Sequence, residues 1–434
     1  MKKVLIITYY WPPGGGAGVQ RWLKFVKYLR DFGWEPVVYT PENPEYPAID
    51  ESLQNDIPNG IKVLKRKIRE PYSAYKVFVG RKKEDRIKAG FLSEKKNPGL
   101  FENISVWVRG NLFIPDARKF WIKPSVRFLN SYLKVNPVDA IVSTGPPHSM
   151  HLIALQVARA SDIPWIADFR DPWTQIDFYH DLRLSSSADK KHRRLEKEVL
   201  ASAHRVIVIS PSMGREMKKI VNRNYDVITN GYDDSDYEAG KVILDKKFSI
   251  AHIGSMVRTR NPETLWKVLS ELIEENREFE QEIAIKLIGQ VDYSINESIQ
   301  NNRLENYVTK IDYLSHTEAI AIQQQVQVLL LLVNQTPNAR MVLTGKIFEY
   351  MGSGRPILCI GPTDGDAAKI IAEAGVGKTV APNDAAGLKK SILEYFDLYL
   401  KGKLSVDGVN IDRFSRRNLT QKLAEVLNEL MNKS

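Results

Sequence analysis

Cysteine is almost missing from this chain: Cys359 is the only one in 434 residues. That excludes a disulfide framework within the chain and fits a reducing compartment. Cys359 lies in the apolar run 356–360 and reads as a small core residue rather than a nucleophile. Long apolar runs are missing too, and nothing approaches the roughly 20 residues that cross a bilayer. The opening MKKVLIITYYWPP superficially resembles a secretion signal. Its apolar run is short, however, and ends in two bulky aromatics and two prolines with no small-residue cleavage site. A first β-strand is the better reading. No His/Cys cluster has zinc spacing. Asp234-Ser235-Asp236 is a pattern that can hold a metal, but two carboxylates often coincide in a polar loop, and a solvated loop is the favoured reading.

Two phosphate-binding fingerprints are incomplete. Gly14, Gly16 and Gly18 invite a G-x-G-x-x-G, but Val19 stands where the close-packing glycine belongs. Thr344-Gly345-Lys346 hints at a P-loop, yet that loop needs glycine at 340 and Ser/Thr at 347, which are Arg340 and Ile347. A P-loop NTPase is therefore disfavoured.

What is present is an ordinary globular composition, 43% hydrophobic and 26% charged, long enough for two or three domains. Strand and helix patterns alternate throughout. Apolar strands are expected at 4–9, 36–39, 140–143, 165–167 and 206–209, with helices at 19–29, 149–160 and 188–202. The pattern pauses near Asn230-Gly231 and restarts with strands at 248–253, 283–288, 308–314, 326–333, 356–360 and 377–380. Helices at 263–273, 317–325 and 366–374 separate them. Such alternation predicts parallel sheets with crossover helices. The expected fold is α/β, two doubly wound Rossmann-like domains facing a cleft. The first spans 1–235 and the second 245–415. A last amphipathic helix in 416–434 has nothing left to start and is expected to pack back on the first domain.

Charge is unevenly distributed. The net charge is +10, yet residues 61–127 alone hold 18 Lys/Arg against 6 Asp/Glu. This basic insertion interleaves Tyr72, Tyr75, Phe78, Phe91, Trp107, Phe113, Phe120 and Trp121. Such a pattern suits nucleic acid or an anionic membrane surface, and a merely solvated basic face is the bland alternative.

The most informative stretch is residues 343–360, LTGKIFEYMGSGRPILCI. It reads as a helix carrying Lys346 and Glu349 on one face, stopped by Gly352-Ser353-Gly354, followed by a strand. A cation and a carboxylate there suit a ligand with phosphate and hydroxyls, such as a nucleotide sugar. Gly254-Ser255-Met256-Val257-Arg258-Thr259-Arg260 follows the first strand of the second domain. Two arginines beside a helix start form an anion site. The glycine loop 14–18 lets backbone N–H groups approach a phosphate, although a flexible turn competes with that reading. His148 follows a strand end, where side chains line a cleft; His151, one turn on, is the weaker candidate. Asp168-Phe169-Arg170-Asp171 also follows a strand, and either a polar site or a structural ion pair accounts for it.

In order, G-G-G-A-G, D-F-R-D-P-W, V-I-V-I-S, T-N-G-Y-D, H-I-G-S and K-I-F-E-Y-M-G-S-G-R-P-I resemble the retaining glycosyltransferases of family 4, with the GT-B fold, of the bacterial envelope or capsular polysaccharide type. The resemblance covers nearly the whole chain except roughly 43–134. It implies a UDP- or GDP-sugar donor bound mainly by the second domain and a glycan or lipid-linked acceptor bound by the first. It implies no catalytic metal, no other cofactor and no nucleic-acid partner. By resemblance, Glu349 holds the donor ribose and Lys346 faces the diphosphate. Thr344, Gly254, Ser255, Arg258 and Arg260 complete the donor side, Arg258 and Arg260 by charge alone. Gly16 and Gly18 belong to the loop that closes over the phosphates, and His148 lies near the transferred sugar. Arg258, Lys346 and His148 are thus the expected catalytic groups. One departure stands out: Met341 occupies the place of the family's other glutamate, eight residues before Glu349. A cytoplasmic location is expected, with peripheral contact to the inner face of the membrane through residues 61–127. A nucleotide-sugar epimerase of the same fold, a non-catalytic nucleotide- or sugar-binding protein and a nucleic-acid binder are the alternatives.

Overall fold

The computed structural model describes residues 1–46, 48–70, 100–237, 242–312 and 314–432. The aromatics Tyr72, Tyr75, Phe78 and Phe91, with the middle of the basic insertion, lie outside the described residues. The chain forms two compact units: the described residues up to Thr229 together with those from Arg416 onward, and Asn230–Ser415.

The first unit is built on a seven-stranded parallel sheet in the order β3-β2-β1-β4-β5-β6-β7. Its strands are β1 (Lys2–Ile7), β2 (Trp34–Pro41), β3 (Lys62–Arg66), β4 (Ala140–Gly145), β5 (Trp165–Phe169), β6 (Arg205–Val208) and β7 (Asp226–Val227). The inner strands are continuous apolar runs because helices cover both faces of a parallel sheet. Val4, Leu5, Ile6 and Ile7 are all fully buried. The helix Ala17–Tyr28 lays Val19, Trp22, Leu23 and Val26 on this sheet. Gly33, at φ 81, ends the following turn in the left-handed region that glycine tolerates. The helix Arg416–Met431 adds Leu419, Leu423, Leu427 and Leu430 to the same core. Part of the basic stretch therefore belongs to the sheet rather than being inserted into it. Lys62–Arg66 is the edge strand, paired in parallel with β2. Its lysines face water, as edge strands often require.

The second unit holds a six-stranded parallel sheet in the order β10-β9-β8-β11-β12-β13. The strands are β8 (Phe248–Ile253), β9 (Ile283–Ile288), β10 (Val308–Ile311), β11 (Val328–Leu332), β12 (Ile357–Ile360) and β13 (Gly377–Val380). One face packs on the helices Glu263–Glu275 and Ala385–Leu400 through Leu265, Trp266, Leu269, Leu388 and Phe396. The other packs on Ile347, Phe348, Tyr350 and Met351 of the short helix Lys346–Gly352. Cys359 is fully buried in β12, and burial pushes its thiol up to about 12, as befits an inert core residue. Each unit is thus a doubly wound Rossmann-like domain. In such sheets ligands bind beyond the carboxyl ends of the strands, where the strand order reverses. That point is β1/β4 in the first unit and β8/β11 in the second.

Candidate functional site

In the second unit, the chain leaving β8 and the chain leaving β11 converge. β8 is followed by Gly254, whose φ of 118 only glycine adopts easily. Its N–H donates to Ile288 O at 2.7 Å, and Gly289, at φ 107, packs against its backbone. A Cβ on Gly254 would collide with the Nζ and Cε of Lys346. Lys346 therefore lies folded across the glycine. It starts the helix Lys346–Gly352, which Tyr350 ties down: the Ile253 N–H donates to Tyr350 Oη at 3.1 Å. With Ile347, Phe348, Tyr350 and Met351 on the core side, Lys346 and Glu349 remain half-buried on the other.

Lys346 makes no ion pair with any described residue. Burial and the Arg260 guanidinium push its ammonium down from 10.5 to about 7, against a weaker pull from Glu349. Arg260 is half-buried on the turn Arg258–Arg260, donating through Nε to Asn334 Oδ1 and through Nη1 to Ser255 O at 3.3 Å. Asn334 is the second residue beyond β11 and is buried, so this bond joins the two loops across the reversal point. Arg258 and Ser255 are exposed. Thr344 Oγ1 is enclosed just before the helix, without a hydrogen-bond partner among the described residues. Glu349 Oε2 accepts a long 3.5 Å hydrogen bond from Gln323, and its carbonyl accepts from Tyr237 Oη at 2.7 Å. Beneath Lys346, His252 donates Nδ1–H to Leu330 O at 3.0 Å, and burial with the Lys346 charge holds it neutral. Gly254, Ser255, Arg260, Thr344, Lys346 and Glu349 thus occupy one end of one sheet, with exposed Arg258 on the same turn. Sequence reasoning missed Asn334, His252 and Gly289. The signal for the first two was their place at or just past a strand end. Met341 is buried in the turn Ala339–Met341.

In the first unit, the glycine loop after β1 and the Pro146-Pro147-His148 loop after β4 meet at that sheet's reversal point. Arg170 clamps them, donating from Nη1 to Gly18 O at 2.7 Å and from Nη2 to Pro146 O. Gly18 sits in tight contact, since a Cβ there would press on the Tyr10 ring and Arg170. Gly16 is open, at φ 90. The glycine-loop N–H groups are partly consumed: Gly14 donates to Trp11 O at 3.0 Å and Gly15 to Ala48 O at 2.9 Å. His148 is 8% exposed and stacks flat on Trp173, ring centres 4.5 Å apart. Trp173 donates to His192 Nδ1 at 3.1 Å, and His192 therefore donates from Nε2 to Gly110 O at 3.3 Å. Burial lowers the His148 imidazole well below its usual range. The start of the helix Ser149–Ser161 is filled by Asp116, which accepts from Ser149 N and Oγ, both at 2.8 Å.

The charged run that begins inside β5, at Asp168, resolves into separate roles. Asp168 is fully buried and pairs with Arg21 at 2.8 Å rather than with Arg170. Trp22 Nε1 and Thr144 Oγ1 also donate to it. Burial opposes its ionisation, but Arg21 and these donors win and hold the carboxyl below its usual value. Asp236 of the Asp-x-Asp loop pairs with His316 at 3.0 Å. Among the described residues, no three His, Cys, Asp or Glu side chains gather as metal ligands would.

The described part of the basic stretch is partly spent inside the fold: Arg118 pairs with Glu70 at 3.0 Å and covers the Tyr9 ring. Around the helices Leu100–Leu112 and Lys119–Leu133, Trp107, Leu112 and Phe120 are exposed at 44%, 54% and 54%. Lys119 lies over the Phe113 and Phe120 rings. Among the described residues, no helix is long and apolar enough to cross a membrane.

No curated protein sequence matches this chain. A family model described as Glycosyltransferase Family 4 matches residues 86–236. Solved structures match over the full length. Sucrose-phosphate synthase from Thermosynechococcus elongatus shares 14% identity, with 100% of both chains covered and a TM-score of 0.63. Anabaena HepE, solved in complex with UDP and glucose, shares 14% identity over 99% of this chain and 100% of its own, TM-score 0.63. A glycosyltransferase from Rickettsia africae shares 15% identity over 100% of this chain and 99% of its own, TM-score 0.62. At such identities these likenesses speak for the fold: this chain shares the two-domain α/β fold of these proteins, and its residues 86–236 are similar to Glycosyltransferase Family 4.

Proposed function

We propose that the protein is a glycosyltransferase that moves a sugar from a UDP- or GDP-sugar to a glycan or lipid-linked acceptor, with retention of configuration. The observation that carries this reading is Lys346: a half-buried ammonium without an ion pair among the described residues, folded over Gly254 beside Arg260, at the reversal point of the second sheet. The family resemblance of residues 86–236 supports it independently.

In this reading the diphosphate sits against Lys346 and Arg260. Both cations are held before the ligand arrives, Lys346 by its helix and Arg260 by Asn334. Charge that grows on the leaving diphosphate is therefore met without reorganisation, the condition under which electrostatic stabilisation lowers a barrier most. Thr344 Oγ1, enclosed and without a partner among the described residues, has a hydroxyl to offer the same ligand. Glu349 holds the ribose hydroxyls. Gly16, Gly18 and His148 keep the roles that the family resemblance implies for them, His148 near the transferred sugar. Buried Met341 offers no hydrogen bond to the sugar, and no carboxylate is assigned as a covalent nucleophile. The basic and aromatic surface around Trp107 and Phe120 suits an acceptor at an anionic membrane, where each basic residue adds about 1 kcal/mol.

A thermal-shift panel of UDP, GDP, ADP and CDP tests the reading, since a ligand that binds only the native state raises its stability. UDP or GDP should raise the melting temperature of the wild type and leave a folded Lys346→Ala variant unmoved. An unmoved wild type would defeat the proposal. Conversion of the donor sugar without acceptor would instead favour an epimerase. Failure to float with anionic liposomes would remove the membrane element alone.

A further inference from the structure

Beside His148 lies a buried hydrogen-bond chain that the proposed reaction does not use. Trp165 Nε1, which can only donate, gives its proton to Ser143 Oγ at 2.8 Å. Ser143 Oγ lies 2.8 Å from His151 Nδ1. Trp165 fills one of the two acceptor lone pairs of Ser143, and among the described residues His151 Nδ1 is the only acceptor within reach of the hydroxyl's own proton, so His151 Nδ1 receives it. A neutral imidazole that accepts at Nδ1 carries its proton on Nε2. His151 is fully buried and stacked on Phe169, ring centres 4.4 Å apart, so its ring is fixed. Burial keeps it neutral, its imidazole pushed down to about 3.

The His151 Nε2 proton has no partner among the described residues, and neither does the enclosed Nδ1 of His148. Both nitrogens converge on one point beside Gly145. A Cβ placed there would lie 2.5 Å from His151 Nε2 and 3.1 Å from His148 Nδ1. The missing side chain of Gly145 is what lets the two rings approach. As the rings stand the two nitrogens are not hydrogen-bonded to each other, and the relay requires one ring to turn until Nε2–H meets Nδ1.

We propose that Trp165, Ser143 and His151 form a relay that sets the tautomer of His148. His151 offers Nε2–H toward His148 Nδ1, so His148 keeps Nδ1 as an acceptor and carries its own proton on Nε2. His148 Nε2 is bonded to no described residue and is the atom left for a ligand. In this state it donates a hydrogen bond and has no lone pair with which to act as a base. On a sugar it would hold a hydroxyl oxygen rather than deprotonate one. Ser143 and His151 are then positioning residues for His148. What His148 does with that proton rests on the glycosyltransferase reading; which nitrogen carries it does not.

Two-bond proton–nitrogen NMR correlations on the full-length protein, labelled with ¹⁵N-histidine, read each tautomer directly. At pH 7 both His148 and His151 should appear as neutral rings with the proton on Nε2. Ser143→Ala, which frees His151 Nδ1, should turn the His148 signal into a mixture of tautomers. Gly145→Ala, which drives a methyl between the rings, should do the same. A wild-type His148 protonated on Nδ1, or on both nitrogens, overturns the proposal without any variant. So does a His148 signal unchanged in a folded Ser143→Ala protein. Because no donor or acceptor enters the measurement, a protein that binds no nucleotide would sink the functional reading and leave this result standing.

Discussion

Replacing Lys346 with Met should stabilise the second unit while abolishing its hold on a nucleotide. The wild-type ammonium is half-buried, is pushed from 10.5 to about 7, and has no ion pair among the described residues. At about 1.4 kcal/mol per pH unit, that displacement corresponds to a ceiling of about 5 kcal/mol of native-state penalty. The side chain retains contact with water, which screens the charge, so about 2 kcal/mol is the expected gain. Met keeps the apolar stem on Gly254 and removes the charge. For a unit of this size that is about 5 °C in Tm. The pH dependence follows from the sign of the shift. The native pKa lies below the unfolded one, so from about 7 to 10.5 the unfolded chain holds a proton that the native protein has lost. Wild-type stability therefore rises with pH across that window. The advantage of Lys346→Met should be largest near pH 6 and shrink toward pH 10. Urea denaturation at several pH values, followed by the second unit's fluorescence, measures it. A variant less stable than wild type at pH 6, or an advantage independent of pH, would refute the reasoning.

Other outcomes follow from the same geometry. Arg260→Ala should weaken binding of the preferred nucleoside diphosphate by about tenfold or more, measured by calorimetry, because Asn334 preorganises that guanidinium. Exposed Arg258→Ala should cost less, and equal losses would show that preorganisation is irrelevant. Asp168→Ala should destabilise the first unit by about 3–5 kcal/mol in chemical denaturation, since Arg21 would be left buried without its counter-charge. Because the Asp168 carboxyl is held below its usual 3.8, its contribution should be intact at neutral pH and lost only as pH falls through its native value. Leu423→Ala should cost about 2–5 kcal/mol by emptying a fully buried site between the helix Arg416–Met431 and the first sheet.

The doubly wound fold could be read from the chain because parallel strands buried on both faces are continuous apolar runs. Residues 4–7, 140–142 and 328–332 declare themselves that way. The edge strand Lys62–Arg66 could not be read, since its lysines face solvent and its pairing lies entirely in β2. The short β7 was equally hidden. The grouping of Arg260, Thr344, Lys346 and Glu349 at one sheet end follows from each segment lying beyond a strand's carboxyl end, a position visible in the alternating pattern. Partner choice was another matter. Asp168 and Arg170 look like a pair in sequence, yet Asp168 takes Arg21, 147 residues away, while Arg170 turns to two backbone carbonyls.

What the sequence alone determined was local: periodicity, turn residues, the absence of cysteines and long apolar runs, and the positions where glycine permits a close approach. These depend on neighbours within a few residues, and they specify two Rossmann-like units and the loops that carry the charges. Tertiary structure alone decided which charges are consumed and which remain available. It set Lys346 across Gly254 beside Arg260, gave Arg21 to Asp168, filled a helix start with Asp116, and brought Trp165 to Ser143. Those outcomes depend on distances between segments remote in sequence, and on burial, which raises the energetic stakes of every unpaired polar atom.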